Sequence, residues 1–257
     1  GQTMTAKDNA GLTVFTGSGP TAGAASYSIS VTPPNKAART YTSNLGGSVT
    51  VTNVGWNGTL TRTPSSSTTT ANAQVATLTL TMSKQIVSPY FVCLYDEAGA
   101  RVLYASNAAQ SGTVFTLTYS AQPLNLASKS YRAYVATTCP TSGVPGAAQG
   151  LAVASASVSV TNLGWDGTLS LAASPTSTDV NAPSSTLTAT MSKQIVSPYF
   201  VCIYDEVNNQ VLISSSAAST GTAFSVTKSV TVANLATKTY TAVVATSCPP
   251  TGPATGI

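Results

Sequence analysis

The twelve residues MSKQIVSPYFVC occupy positions 82–93 and recur unchanged at positions 191–202, 109 residues further along. The same spacing relates three further matched pairs, namely Trp56 and Trp165, Tyr131 and Tyr240, and Cys139 and Cys248. Because no net insertion or deletion separates these landmarks, the two copies must share one fold. The period is close to the length of a β-sandwich domain, about 100 residues.

Each copy has the side-chain alternation of β-strands. In residues 76–82, alanine, leucine and methionine alternate with threonine, which predicts a strand with one buried face. Residues 90–95 form a nearly continuous apolar run, as expected of a central strand. Glycine (19 residues) and proline (14) occur every few positions, so a long helix has no room to form. The sequence therefore predicts an all-β protein.

The composition argues against several function classes. Only 7% of residues are charged, against about 25% in a typical soluble domain, and the cations behind the net charge of +4 are dispersed. No nucleic-acid partner and no membrane span are therefore expected. Histidine is absent, which removes the commonest general base and metal ligand. We expect no enzyme, no catalytic residue, no metal and no cofactor.

Two segments carry a resemblance to a known family. They are NLASKSYRAYVAT at residues 125–137 and NLATKTYTAVVAT at residues 234–246. Both resemble the corner before the F strand of fibronectin type III and other Ig-like domains. The resemblance implies structural corner pairs in which each tyrosine hydroxyl bonds back to the chain: Leu126 with Tyr131, and Leu235 with Tyr240. The tandem arrangement also resembles Ig-like repeats of large secreted and surface proteins of bacteria.

A third, partial copy precedes the two complete ones. KDNAGLTVFTGSG at residues 7–19 aligns with YDEAGARVLYASN at residues 95–107, and Tyr41 aligns with Tyr131. We therefore predict three domains, namely a partial repeat without its opening strands (residues 1–46), repeat 1 (47–157) and repeat 2 (158–257). Both ends are expected to be incomplete, since no counterpart of the strand around residues 158–160 follows repeat 2.

The four cysteines allow three disulfide connectivities. The repeat favours one bridge inside each copy, Cys93 with Cys139 and Cys202 with Cys248. The partial copy lacks both partners together, as expected of a bonded pair. A zinc site would need four converging ligands, and a nucleophile would need a base, so both alternatives are weaker. Disulfides indicate an oxidising, extracellular setting. We thus expect tandem Ig-like β-sandwich domains, each with one internal disulfide, preceded by a partial repeat.

Polar and aromatic side chains that repeat between the copies are candidate sites. Asp96-Glu97 and Asp205-Glu206 could hold calcium or transfer protons, but aspartate at the end of a strand is more typical of a turn. Trp56 and Trp165 could stack on sugar rings, although a tryptophan at equivalent positions is more often part of the core.

Two covalent modifications are further candidates. Lys84 and Lys193 could form isopeptide bonds to asparagine, as in surface pilins of Gram-positive bacteria, but no acidic catalyst is evident in the sequence. Asn57-Gly58-Thr59 is a glycosylation sequon that repeat 2 lacks, because Asp166 takes the place of the asparagine.

Three hypotheses remain for a secreted or cell-surface protein. The first, which we favour, is a non-enzymatic stalk or fibre of tandem domains. The second is a filament subunit assembled by strand complementation through the incomplete terminal repeats. The third is a carbohydrate-binding module of a secreted enzyme. The expected partners are copies of the chain or neighbouring domains of the same assembly, and surface glycans are a further candidate.

Overall fold

The computed structural model describes residues 3–18 and 28–256 and is all-β apart from a 3₁₀ turn at Ala147–Gln149. The strands are β1 (Thr3–Asp8), β2 (Thr13–Ser18), β3 (Ala38–Ser43), β4 (Ser48–Thr52), β5 (Leu60–Pro64), β6 (Thr68–Thr69), β7 (Ala76–Met82), β8 (Phe91–Asp96), β9 (Arg101–Ala105), β10 (Ala109–Ser111), β11 (Val114–Ala121), β12 (Ser128–Ala136), β13 (Val153–Ala154), β14 (Val158–Asn162), β15 (Leu169–Ser174), β16 (Ser184–Met191), β17 (Phe200–Asp205), β18 (Gln210–Ser214), β19 (Ala218–Thr220), β20 (Ala223–Thr231) and β21 (Tyr240–Ala245).

Strand β7 shows why these residues form strands. Its apolar residues, Ala76, Leu78, Leu80 and Met82, are buried, while the threonines between them are only partly covered. Successive side chains of a strand point to opposite faces, so alternation places every apolar side chain on the core face. Strand β16 repeats this arrangement in repeat 2. The predicted all-β fold is confirmed.

The chain forms two compact units. The first comprises Gly1–Arg62, Leu80–Leu117 and Tyr131–Ser157. The second comprises Thr63–Thr79, Thr118–Ser130 and Val158–Ile257.

The partial repeat forms one antiparallel sheet in the order β2-β1-β3-β4. Strand β1 pairs with β3, with Asp8 opposite Tyr41, and β3 pairs with β4. The buried Asp8 carboxylate accepts a hydrogen bond from the Arg39 guanidinium at 2.8 Å. Strand β4, which follows residue 46, thus completes the sheet of the partial repeat.

Repeat 1 has one sheet in the order β10-β11-β7-β5 and a second in the order β6-β14-β12-β8-β9. Strand β13 pairs with β12 as well. Strand β14 runs parallel to β6, with Thr161 opposite Thr68 and Asn162 opposite Thr69. Strand β14, which lies at the start of the predicted repeat 2, therefore pairs within the second sheet of repeat 1.

Repeat 2 is a sandwich of a sheet in the order β15-β16-β20-β19 and a sheet in the order β18-β17-β21. Strand β15 contacts β21, and β18 contacts β20, so the sheets face each other. Leu187 and Met191 from one sheet and Ile203 from the other lie buried in one apolar cluster. This cluster is the core of repeat 2.

Each complete repeat contains one internal disulfide, as predicted. Cys93 is bonded to Cys139 with their Cα atoms 6.2 Å apart, and Cys202 is bonded to Cys248 with 6.3 Å between the Cα atoms. Each bridge joins a cysteine of a central strand, β8 or β17, to a cysteine in the segment after the neighbouring strand, β12 or β21. The domain limits at residues 46/47 and 157/158 stay a prediction; the strand pairing would place them after β4 and β14.

Candidate functional site: the junctions between repeats

Asp96 and Asp205 each stabilise the turn that follows a central strand. Oδ1 of Asp96 accepts hydrogen bonds from the N–H groups of Ala98 (3.1 Å) and Ala100 (2.9 Å). Oδ1 of Asp205 does the same for Val207 (3.1 Å) and Asn209 (2.8 Å). Such side-chain bonds to the backbone two and four residues on stabilise the turn between two strands. The geometry agrees with the turn interpretation of these aspartates.

The acidic pair of repeat 2 also has a cation partner. Lys238 Nζ lies 3.3 Å from Oε1 of Glu206 and 3.8 Å from Oδ2 of Asp205. The hydrogen bond from the Asn209 N–H is the main reason why the pKa of Asp205 lies below its usual value. The hydrogen bond to Glu206 raises the pKa of Lys238. These groups form a partly exposed ion-pair cluster at one turn of repeat 2.

Neither a metal site nor a membrane helix was found in the part of the chain that the structure describes. Across residues 3–18 and 28–256, no three His, Cys, Asp or Glu side chains are grouped to hold a metal ion. In the same residues, no helix has the length and apolar character needed to span a membrane.

The two tryptophans lie at the start of each complete repeat and are bonded to it. Trp56 is only 7% exposed, and its Nε1 donates to the carbonyl of Gln85 at 3.0 Å. Trp165 is partly buried, and its Nε1 donates to the carbonyl of Gln194 at 3.1 Å. The buried ring of Trp56 leaves little face for stacking on a sugar. The ligand-contact hypothesis for these tryptophans stays a prediction.

The two lysines of the repeated twelve-residue block lie beside these tryptophans. Lys84 Nζ donates to Oδ1 of Asn57 at 2.7 Å, and Lys193 Nζ lies 2.6 Å from Oδ2 of Asp166. Both contacts are exposed to solvent. Both are ordinary polar pairs at the surface. The partner of the lysine is the neutral amide of Asn57 in repeat 1 and the carboxylate of Asp166 in repeat 2.

The predicted corner residues differ in burial. Tyr131 is buried and Tyr240 is half-buried, whereas Leu126 is 54% and Leu235 is 99% exposed. Both leucines have left-handed backbone, with φ of 58° and 57°. The corner hydrogen bond of the tyrosines stays a prediction. The exposed Leu126 lies at a turn that also contributes to the contact between neighbouring repeats.

The first junction joins the partial repeat to repeat 1 through Asn53 and Gly55. The Asn53 N–H donates to the carbonyl of Ala37 at 2.8 Å, and its Nδ2 donates to the carbonyl of Pro33 at 3.1 Å. Its Oδ1 accepts the Gly55 N–H at 2.9 Å. From repeat 1, the Tyr90 hydroxyl donates to Oδ1 of Asn35 in the partial repeat at 2.9 Å.

The second junction joins repeat 1 to repeat 2 with the same groups. The Asn162 N–H donates to the carbonyl of Ala127 at 2.8 Å, and its Nδ2 donates to the carbonyl of Pro123 at 3.3 Å. Its Oδ1 accepts the Gly164 N–H at 2.9 Å. The Gly164 carbonyl in turn accepts the N–H of Ala71 at 2.8 Å, which connects the linker to a loop of repeat 1.

Glycine is required at both junctions. Gly55 and Gly164 have φ of 75° and 77°, the left-handed region that favours glycine. A β-carbon on Gly164 would overlap the Tyr199 hydroxyl and come within 2.7 Å of Leu126 Cδ2. On Gly55, it would overlap the Tyr90 hydroxyl. The tyrosine of each complete repeat therefore packs directly on the linker backbone.

Lys36 and Ala71 add contacts that differ between the junctions. Lys36 Nζ donates to the carbonyl of Leu151 at 2.6 Å, across the first junction. Ala71 is buried in the core cluster of repeat 2, across the second. The first junction thus gains a polar contact and the second an apolar one, beside the bonds that both share.

The sequence patterns pointed to the tryptophans and leucines near the junctions. They did not point to the asparagines and glycines that make the junctions, namely Asn53, Gly55, Asn162 and Gly164. The signal was present as VTNVGW at residues 51–56 and VTNLGW at residues 160–165. Its Asn-X-Gly spacing allows the asparagine side chain to accept the glycine N–H two residues on, which is a common turn. What the sequence did not show is that the same asparagine also bonds to the preceding repeat.

The fold and the repeated junctions define the class of protein, a tandem repeat of all-β sandwich domains with one disulfide in each complete repeat. No protein-family model matches the chain, and no curated protein matches it significantly. Among solved structures, the chain is similar to a crystal structure of a tetra-tandem repeat in the extending region of a large adhesion protein. The two share 16% identity and a TM-score of 0.27 over 98% of this chain and 64% of the other. This chain thus spans less than two thirds of that structure, and a TM-score this low supports no inference about fold or function.

Proposed function

We propose that the chain is a non-enzymatic structural segment of an extracellular protein, in which disulfide-bonded sandwiches form a stalk or fibre of a cell-surface or secreted assembly. The observation that carries the proposal is the repeated junction. Asn53 and Asn162 bond each linker to the preceding repeat, and Tyr90 and Tyr199 of the following repeat pack on its glycine. Neighbouring repeats are therefore joined without a free spacer.

The chemistry of the chain supports an extracellular place. Disulfides persist in oxidising compartments, and each complete repeat has one. The resemblance of the tandem arrangement to Ig-like repeats of secreted and surface proteins of bacteria points the same way. The low charge of the chain, 7% of its residues, suits a repeat whose polar surface consists mainly of serine and threonine.

Force spectroscopy on the full chain, held at its two ends, tests this mechanical role. We expect discrete unfolding steps, because each sandwich unfolds cooperatively. Each disulfide encloses 46 residues of sequence separation, which cannot extend while the bond is intact. Reduction should therefore lengthen each of two steps by about 150 Å, since an extended chain spans about 3.3–3.6 Å per residue.

Paired Cys93→Ser and Cys139→Ser substitutions provide the matched control, because they should lengthen one step without reductant and leave the other unchanged. Steps of equal length in oxidised and reduced chains, or extension without discrete steps, would contradict the proposal. Sedimentation with insoluble polysaccharides tests the carbohydrate-binding alternative. Binding that disappears when Trp56 and Trp165 are replaced by alanine would favour that alternative.

A further inference from the structure

Asn57 differs from every other asparagine of the chain in the residue that follows it. It precedes Gly58, whereas none of the other asparagines in the sequence is followed by glycine. Glycine has no side chain, so its backbone nitrogen can closely approach the side-chain carbonyl of the residue before it. Attack of that nitrogen on the carbonyl carbon closes a succinimide ring, which is how asparagine loses its amide without an enzyme.

The structure leaves this reaction open at Asn57. The side chain of Asn57 is exposed, and residues 53–59 belong to no strand. Within residues 3–18 and 28–256, neither the Gly58 N–H nor Nδ2 of Asn57 has a hydrogen-bond partner. Neither the attacking nitrogen nor the leaving amide is therefore held by a bond that would have to break first.

Lys84 provides a positive charge at the reacting carbonyl. Its Nζ donates to Oδ1 of Asn57 at 2.7 Å. Negative charge develops on this oxygen when the Gly58 nitrogen attacks, and an ammonium group that is already bonded to the oxygen stabilises that charge. The same ammonium group has no lone pair with which to attack the carbonyl carbon itself. The geometry therefore favours loss of the amide over an isopeptide bond to Lys84.

Repeat 2 has at this position the residue that deamidation would produce. Asp166 corresponds to Asn57 and is followed by Gly167, and Lys193 corresponds to Lys84. Lys193 Nζ lies 2.6 Å from Oδ2 of Asp166. An aspartate at this position is thus compatible with both the glycine that follows it and the lysine beside it.

The surrounding loop is the same in both repeats. In repeat 1, the Thr59 N–H donates to Oγ of Ser83 at 2.8 Å, and the equivalent bond in repeat 2 has the same length. A β-carbon on Gly58 would overlap the Trp56 ring, and the equivalent glycine of repeat 2 is packed in the same way. The fold therefore requires the glycine that makes Asn57 reactive, and it accepts either an amide or a carboxylate before it.

We propose that Asn57 is a deamidation site, at which repeat 1 acquires the aspartate–lysine pair that repeat 2 has from its sequence. The Gly58 nitrogen forms a bond to Cγ of Asn57, the bond from Cγ to Nδ2 breaks, and ammonia leaves with the proton of the Gly58 nitrogen. Water then adds to Cγ of the succinimide and breaks the new bond to nitrogen. This step restores the Gly58 N–H and leaves an aspartate, so the reaction consumes water and releases ammonia.

The modification changes the charge of the chain rather than its fold. Each conversion lowers the net charge of +4 by one unit. The side chains of Lys193 and Asp166 are 42% and 33% exposed, and an ion pair with this exposure adds little stability. The inference goes beyond the structural role, because it gives repeat 1 a charge that changes with the age of the protein.

Incubation of the full oxidised chain in neutral buffer, sampled over weeks and followed by tryptic peptide mapping, tests the proposal. Residues 40–62 form one tryptic peptide, which also contains Asn44 and Asn53 as internal controls. We expect this peptide to gain the mass difference between an amide and a carboxylic acid at Asn57. Conversion there should be at least about tenfold faster than at either control, because only glycine leaves the following nitrogen unshielded.

Position 166 provides a matched pair of exposed variants in repeat 2. Asp166→Asn creates a second Asn-Gly sequence beside Lys193 and should convert back to aspartate at a rate similar to that at Asn57. Asp166→Gln has the same neutral amide but needs a larger ring, so it should stay unchanged.

A second pair of variants tests the part played by Lys84. Lys84→Ala should slow conversion at Asn57 severalfold, whereas Lys84→Arg should restore it, because the guanidinium keeps the charge. Equal rates in Lys84→Ala and the unmodified chain would show that the lysine takes no part in the reaction.

Lack of conversion at Asn57 in the folded chain, over a period in which the reduced chain in urea converts, would overturn the proposal. Loss of the mass of ammonia, with Lys84 and Asn57 found in one cross-linked peptide, would overturn it in favour of an isopeptide bond. Isoaspartate as the main product, which electron-transfer fragmentation distinguishes from aspartate, would contradict the pairing with Lys84. The force experiment does not depend on the charge at position 57, so the structural role and the modification site can fail independently.

Discussion

At the scale of single residues, Gly164 shows how a junction depends on one backbone position. Its φ of 77° is left-handed, which costs a residue with a side chain about 1–2 kcal/mol. Its Cα also faces the Tyr199 hydroxyl so closely that a β-carbon would overlap it. Two separate physical reasons, conformation and packing, therefore require glycine here.

Gly164→Ala should destabilise the chain more than Gly221→Ala. Gly221 also has a left-handed backbone, with φ of 64°, but no atom lies within 4 Å of the place that a β-carbon would take, so only the conformational cost applies. At Gly164, overpacking adds about 1–3 kcal/mol. Urea unfolding followed by tryptophan fluorescence measures the difference. Equal losses of unfolding free energy in both variants would show that the Tyr199 contact does not constrain the linker.

Asp205 makes the stability of repeat 2 depend on acid pH. Because hydrogen bonds, first that from the Asn209 N–H, lower its pKa in the folded chain, the charged carboxylate stabilises the fold above its ordinary pKa of 3.8. This contribution is lost as the pH falls through the folded-state pKa. The unfolding free energy should therefore decrease between about pH 5 and about pH 2. Asp205→Asn should make this decrease shallower in urea titrations at each pH; an unchanged slope would contradict the assignment.

At the scale of strands and loops, the two disulfides have different surroundings. Cys93 and Cys139 are both buried in a cluster with Tyr95 and Tyr134, and the segment around Leu151 packs against it. In repeat 2, Cys202 is buried but Cys248 is partly exposed. The same bond, at the same spacing, is thus covered in one repeat and accessible in the other.

A mild reductant should therefore open the Cys202–Cys248 bond before the Cys93–Cys139 bond, because thiol–disulfide exchange requires access to a sulfur atom. Timed alkylation followed by peptide mass spectrometry measures the order. Leu151→Ala should expose the first bridge and bring the two rates closer together. If the Cys93–Cys139 bond opened first in the unmodified chain, the burial argument would be wrong.

At the scale of the whole chain, three copies of one pattern share the same turn between neighbouring strands. In the described residues, the partial repeat has a single sheet, repeat 1 has two sheets that include β14, and repeat 2 has two sheets in which β21 is at an edge. The same aspartate begins the equivalent turn in each copy, at Asp8, Asp96 and Asp205. The turn that follows the aspartate is therefore the same in all three copies.

The sequence by itself determined the period, the strands, the cysteine pairing and the turn-forming role of the aspartates. These features depend on residues close together in the chain or on exact recurrence, as the alternation in residues 76–82 shows. The tertiary structure decided that β14 belongs to the sheet of repeat 1, that Asn162 and Gly164 connect two repeats, and that Leu235 is exposed. Such features depend on which distant segments cover an edge or a turn, and local side-chain patterns do not encode that choice.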